Sequence, residues 1–209
     1  MARTTGVTAL SPKRKLFGSG VWIVNYDPTK TIAANITAAA TAGLLWATTG
    51  GNEFIVHQKL GGTDYDGQLG PVKGSRNLTE DYATGSGTGK DLGLAALLTQ
   101  LPGATYTDST TGTNLLTTHA DVVTRTRDIL ATDHINNVAL ICDHAAADGS
   151  IGFILNNVLG GSDTFDVKTA DKEAAPVTFS FTSYYDPAAM ATRPWSIIWP
   201  DATVTTDAI

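Results

Sequence analysis

The chain reads as a mainly β protein with one packed α-helix, an extended N-terminal arm and long loops. Three observations predict this. First, Ala175 to Pro187 alternates with a period of two. Val177, Phe179 and Phe181 point one way, and Thr178, Ser180, Thr182 and Tyr184 the other, as a strand requires when one sheet face enters a core. Second, the 209 residues include 21 glycines and 32 threonines, a composition that favours strands and turns over helices. Third, short apolar runs recur between Gly, Pro and Asp turn signals.

Taken in order, residues 1–19 read as an irregular arm, 20–200 as one β domain and 201–209 as a polar tail. Val21 to Tyr26 is the first strand, closed by Asp27-Pro28. In residues 29–49 alanines favour a helix while Thr and Ile interrupt it, so both readings stand. Glu53 to Gln58 is a strand, and Gly61-Gly62 and Asp64-Tyr-Asp-Gly67 read as turns. Residues 72–82 are polar for a strand, and 84–90 read as a flexible Gly/Ser/Thr loop. Asp91 to Leu101 is the one clear helix: Leu92, Leu94, Ala95, Leu98 and Leu101 share a face, Asp91 can cap the start, and Pro102-Gly103 ends it. Residues 106–118 read as loop, and 119–131 fit neither period. Asn137 to Asp143 is a continuous apolar run, so a buried strand, and it forms a hairpin with Ile151 to Leu155. Residues 164–169 alternate as a strand would, and Trp195 to Trp199 is the last strand. Pro176 fits the start of the organising strand and Asp186-Pro187 its end, because proline cannot donate to a ladder.

Composition and motifs narrow the chemistry. Charged residues make up only 16%, well below the usual quarter, which suits a surface covered by partners. From residue 16 onward there are ten basic and twenty acidic residues, a body near −10, while Arg3, Lys13, Arg14 and Lys15 form a basic arm. Four cations without interleaved aromatics make a weak nucleic-acid footprint, and docking of the arm on an acidic neighbour is the better reading. Cys142, the single cysteine, excludes an intramolecular disulfide and reads as a small buried hydrophobe. No apolar run is long enough to span a membrane, and the N-terminus has no apolar signal core. Gly85-Ser-Gly-Thr-Gly89-Lys90 superficially resembles a phosphate loop, but Thr84 and Asp91 stand where that loop needs glycine and a hydroxyl. His57, His119, His134 and His144 have no metal-ligand spacing. Asp64-x-Asp66-Gly67 lacks the downstream glutamate of a calcium loop. No catalytic residue, cofactor or metal is expected.

Four segments, in order, resemble the major tail tube proteins of long-tailed, siphophage-type phages. They are Trp46-Ala-Thr-Thr-Gly50-Gly51-Asn-Glu-Phe54; Asp66-Gly-Gln-Leu-Gly70-Pro71-Val72-Lys73-Gly74-Ser75-Arg76; Asn136-Asn-Val-Ala-Leu-Ile141 with Asp148-Gly149 and Ile154-Leu-Asn-Asn157; and Ala175-Pro-Val-Thr-Phe179 with Tyr185-Asp-Pro187 and Arg193-Pro-Trp-Ser-Ile197. The resemblance implies a β-sandwich or open barrel with one packed α-helix, in a structural virion protein whose copies form stacked hexameric rings. Inner strands would join into one barrel around a channel for DNA. Its partners would be further copies of itself, tape-measure and terminator proteins, and DNA in transient passage, with no membrane. It would reside in the virion tail, and in the host cytoplasm before assembly. The acidic body leads us to expect luminal carboxylates, with Asp64, Asp66, Glu80 and Asp81 as candidates, and an inter-subunit arm carrying Arg3, Lys13, Arg14 and Lys15. A contractile-tail tube, a tail terminator, a capsid decoration protein and a carbohydrate-binding β-sandwich remain alternatives on the residues alone.

Overall fold

A computed structural model describes residues 16–48, 51–62, 73, 75–89, 93–107, 122–144, 150–161 and 176–198, with backbone alone at 16–19, 46, 47, 143 and 144. Ten strands and two α-helices follow one another: β1 (Leu16–Val24), α1 (Ile32–Thr41), β2 (Leu45–Ala47), β3 (Glu53–Gly62), β4 (Arg76–Gly89), α2 (Leu94–Gln100), β5 (Ala104–Thr107), β6 (Val122–Arg125), β7 (Ile135–His144), β8 (Ser150–Gly160), β9 (Val177–Ser183) and β10 (Trp195–Ile198). All pairings are antiparallel. The main sheet runs β2-β1-β7-β8-β9-β4-β3, and β10 pairs with β8 beside β9; β5 and β6 form a separate ribbon.

The sheet curls on itself. In a flat sheet β1 and β4 would lie four strand spacings apart, roughly 19 Å. Instead Trp22 of β1 lies against both phenylalanines of β9, with ring centroids 6.0 Å from Phe179 and 5.7 Å from Phe181. Its six-membered ring sits over Gly85 of β4: a β-carbon there would lie 2.2 Å from Trp22 Cη2. A bridge between Thr48, just after β2, and Gly89, at the end of β4, fastens the curl. Polar contacts secure the seam. Trp22 Nε1–H donates to Asn52 Oδ1 (3.0 Å), Asn52 Nδ2 donates to Thr48 Oγ1 (2.9 Å), and Thr48 Oγ1 donates to the Gly20 carbonyl (2.9 Å). The result is an open barrel within the mainly β fold that the sequence predicts.

The continuous apolar run in β7 has a plain cause: both of its faces are covered. Val138, Leu140 and Cys142 face the barrel interior with Trp22, Leu155, Phe179 and Phe181. Ala139 and Ile141 face outward, where Ile23, Ile154 and Ala39 of α1 cover them. Thr31 caps α1 by accepting from the Ala34 N–H (3.2 Å). Buried Asn35 then ties the preceding loop, exchanging two 2.8 Å hydrogen bonds with the Asp27 backbone. Helix α2 closes one end. β9 extends past the end of β8, and Gln100 Oε1 accepts the Ser180 N–H left without a strand partner (2.9 Å).

Several expectations are corrected. Residues 84–89 are not a flexible loop but half of β4, with Gly85, Gly87 and Gly89 buried. Glycine is needed there because the inner volume is already filled, by Trp22 over Gly85 and by Phe179 over Gly87. Gly61 and Gly62 pair with Asn77 and Arg76 rather than turning. The first strand begins at Leu16, inside the stretch 1–19 read as irregular. Among the described residues there are two α-helices rather than one: alanine propensity wins in 32–41, where Thr31 supplies a cap, and residues 122–125 are strand. The expected helix starts at Leu94 with Gly93 as its N-cap. Asp91 and residues 164–169 lie outside the described residues.

Gly85→Ala should therefore cost about 1–3 kcal/mol by overpacking. Gly93→Ala, with 3.7 Å of clearance to the Gly43 carbonyl, should cost less, at most about 1 kcal/mol from the weaker N-cap. Urea unfolding of the two variants checks this, and equal stability would remove the Trp22 seat from the argument. A second expectation concerns acid. Arg127 grips Asp133 through both carboxylate oxygens (2.6 and 2.5 Å) and the Leu130 N–H adds a third bond (2.7 Å). These hold the Asp133 carboxyl at about 2 instead of 3.8. A lowered carboxyl stabilises the fold fully above its unfolded value, and that contribution disappears as pH falls through the folded one. Asp133→Asn should flatten the acid limb of stability in that window, read by fluorescence at stepped pH.

Candidate assembly surface

The sequence periodicities that fill the barrel also determine its outside. Where β4 and β9 place Gly85, Gly87, Phe179 and Phe181 inward, they place hydroxyls outward. The register pairs Thr84 with Thr182, Ser86 with Ser180 and Thr88 with Thr178. Six small hydroxyl residues thus form a ladder of cross-strand pairs without a charge. Thr178 is exposed and the other five are half-buried.

Beside this face the sheet has open margins. Among the described residues β3 pairs only with β4, and β10 only with β8. Both margins show apolar side chains: Ile55 and Leu60 on β3, the latter 61% exposed, and Ile197 and Ile198 on β10. Beyond Thr84, where β9 leaves, β3 and β4 continue as a two-stranded ribbon through Gly61–Asn77 and Gly62–Arg76. An edge with unpaired N–H and C=O groups is a template for another chain. The ion pair across the ribbon, Lys59 Nζ to Glu80 Oε1 at 2.6 Å, is exposed on both sides and so contributes little.

A slot opens where β4 and β9 separate. Ser183 stands at the fork: its Oγ accepts from the Ala83 N–H (2.8 Å) and donates to the Ala83 carbonyl (3.0 Å). Below it lies a cavity of about 490 Å³ between residues 79–82 and residues 182–185. Its floor is a charged knot. Asp81 Oδ1 accepts from Trp195 Nε1–H (2.8 Å), Asp81 Oδ2 pairs with Arg193 Nη1 (3.0 Å), and Arg193 also donates to Tyr185 Oη (3.0 Å).

The expected site residues are placed as follows. Asp81, expected to be exposed, is buried: its side chain is 3% exposed and is tied within the subunit to Trp195 and Arg193. Glu80 is exposed and paired with Lys59. Asp64, Asp66, Arg3, Lys13, Arg14 and Lys15 lie outside the described residues. His57 stacks on Tyr82 at 4.6 Å with Nε2 2.9 Å from Thr84 Oγ1, and His134 meets Tyr184 edge-on. Among the described residues no three His, Cys, Asp or Glu side chains come together as metal ligands. Sequence reasoning missed the Asp81–Trp195 tie. The available signal was that a half-buried indole N–H needs an acceptor, but its partner lies 114 residues away.

No protein-family model matches the chain, and no curated protein matches it in sequence.

Replacing Asp81 by Ala should cost about 1–3 kcal/mol, chiefly by orphaning the Trp195 N–H, since half-exposed Arg193 can rehydrate. Amide exchange should quicken at residues 195–198 and stay slow in β1 and β7. Uniform acceleration would show that the knot does not locally secure β10.

Proposed function

We propose that this chain is the repeating subunit of a hollow protein tube, built from stacked hexameric rings like a long-tailed phage's tail tube and serving as a conduit for DNA. The observation that carries this reading is a barrel with a filled interior whose sheet keeps unpaired strand edges among the described residues, β3 and β10 being two that differ in length and neighbours. Unlike edges meeting head to tail make a heterologous contact, and such contacts close into rings when the rotation permits. Edge pairing then satisfies backbone groups that a monomer leaves to water. Hexamers, tape-measure and terminator partners and residence in the virion come from the resemblance.

The hydroxyl ladder of β4 and β9 supports the same reading. A wall of small hydroxyls whose neighbouring charge is the acidic Glu53 opposite Ser86 offers a polyanion neither ion pairs nor counterion release, so DNA gains little by sticking to it. This moves the proposed lumen away from carboxylates at Asp81 and onto Thr84, Ser86, Thr88 and their β9 partners. The basic arm, residues 1–15, is proposed to cross to a neighbouring subunit. It ends immediately before β1, so its removal spares the barrel.

Concentrated protein should form hollow tubes in negative-stain micrographs. Ile55→Lys with Leu60→Lys should block them by placing charge on the β3 edge while leaving the thermal transition within a few degrees, as expected for surface changes. Deletion of residues 1–15 should also leave folded, unpolymerised subunits. Solitary particles from the unaltered chain at high concentration would refute the proposal.

A further inference from the structure

The ribbon of β3 and β4 is joined to the barrel unevenly along its length. Up to the pair Val56–Ala83 it belongs to the wall: Ala83 is buried, and Val56 packs against the core. Beyond the stacked His57–Tyr82 pair, residues 58–62 and 76–81 run on without β9. Asp81 is the one buried residue among them. Leu60 is exposed, and Leu78 stands outside both core clusters. Among the described residues the other side-chain hydrogen bonds of this stretch close on the ribbon itself. Lys59 Nζ donates to Glu80 Oε1 (2.6 Å), and Thr79 Oγ1 donates to the Lys59 carbonyl (3.0 Å). Two strands without a third strand or a hydrophobic face are marginal by themselves. Segments with few buried apolar contacts open locally at little cost.

What ties the stretch down is Asp81. One carboxylate oxygen accepts the Trp195 N–H, the other pairs with Arg193, and both partners stand on the barrel. Trp195 pairs with Leu155 of β8, and the carbonyl of buried Pro194 between them accepts the Asn156 N–H (2.7 Å). The ribbon side of the knot is therefore the side that is free to move. Its pivot lies two residues along β4, at Ala83, whose N–H and C=O are both engaged by Ser183 Oγ. A buried carboxylate is a poor source of net stability, because desolvation offsets its ion pair; its better-attested use is to fix one arrangement against another. We infer that Asp81 is a latch, and that residues 58–62 and 76–81 form a hinged arm with a latched and an open position. Opening widens the cavity of about 490 Å³ beside Asp81 and swings the β3 edge relative to the barrel. The hinge belongs to the single subunit and does not depend on the tube reading.

Spin-label distances in the dilute full chain test it. Asn77→Cys places a label on the arm and Ser196→Cys one on the barrel; both sites are exposed, and Cys142 is buried and stays unlabelled. Asn77 stands six residues from Ala83, and Asp81 two. A swing that admits one water between Asp81 and Arg193, about 3 Å, therefore moves Asn77 about 9 Å along a rigid strand. The latched chain should give one narrow distance. Adding Arg193→Ala, a change at a half-exposed side chain, should bring in a second population shifted by that amount, and Asp81→Asn should do the same from the other side of the latch. A control pair within the barrel, Thr178→Cys with Ser196→Cys, should keep a single distance throughout. An unchanged single distance between 77 and 196 in both latch variants would overturn the inference. So would equal broadening of the control pair, which would show that the knot secures the whole barrel and not a hinged arm.

Discussion

The fold depends on one fit, the Trp22 indole seated on a strand that has no side chains beneath it. Curling a sheet brings distant strands face to face, and their side chains must share the enclosed volume at the density of a protein interior. Trp22 takes so much of that volume that β4 opposite it can contribute nothing: Gly85 underlies the ring and Gly87 underlies Phe179. Asn52 then anchors the indole N–H and passes the contact on through Thr48 to the Gly20 carbonyl, at the margin where Thr48 and Gly89 bridge. The large residue, the glycine strand and the closure are one device.

That device fixes the outer surface as well. Because side chains alternate, a stretch with glycine at every inward position, as in residues 84–89 after core-facing Ala83, shows all its side chains on the other face. In β4 those are Thr84, Ser86 and Thr88, and β9 sets Thr182, Ser180 and Thr178 beside them. The abundance of Gly and Thr thus reflects two demands on the same strands, room within and small hydroxyls without. β-Branched threonine suits the pleated backbone, which offsets part of the entropy that glycine costs in a strand.

What could be read from the sequence follows the range of the forces involved. β7 was legible because covering both faces leaves an unbroken apolar run, and β9 because one covered face leaves an alternation. The β7–β8 hairpin and the body of α2 were legible from local turn and helix signals. The glycine half of β4 was not, because its strand character comes from a tryptophan more than sixty residues away and from no propensity of its own. Asp81 misled for a similar reason. An acid in a polar stretch reads as exposed, and only the fold brings Trp195 and Arg193 to it. The open edges were illegible in detail, since pairing on one side of a strand looks the same in sequence as pairing on both.

The remaining question is why the margins are open when the interior is complete. Monomeric β proteins protect edges with charge, proline or bulges. β3 has a register shift near Lys59, yet that lysine is paired across to Glu80 instead of guarding the free side alone, and Ile55 and Leu60 stay exposed. β10 shows two isoleucines in four residues. In a chain with 16% charged residues these edges are weakly defended. Were the two margins equivalent, copies would pair about a two-fold axis and stop at dimers. They differ in length, ten residues against four, and in neighbours. A contact between unlike edges repeats from copy to copy, and only a closed ring leaves none of them bare.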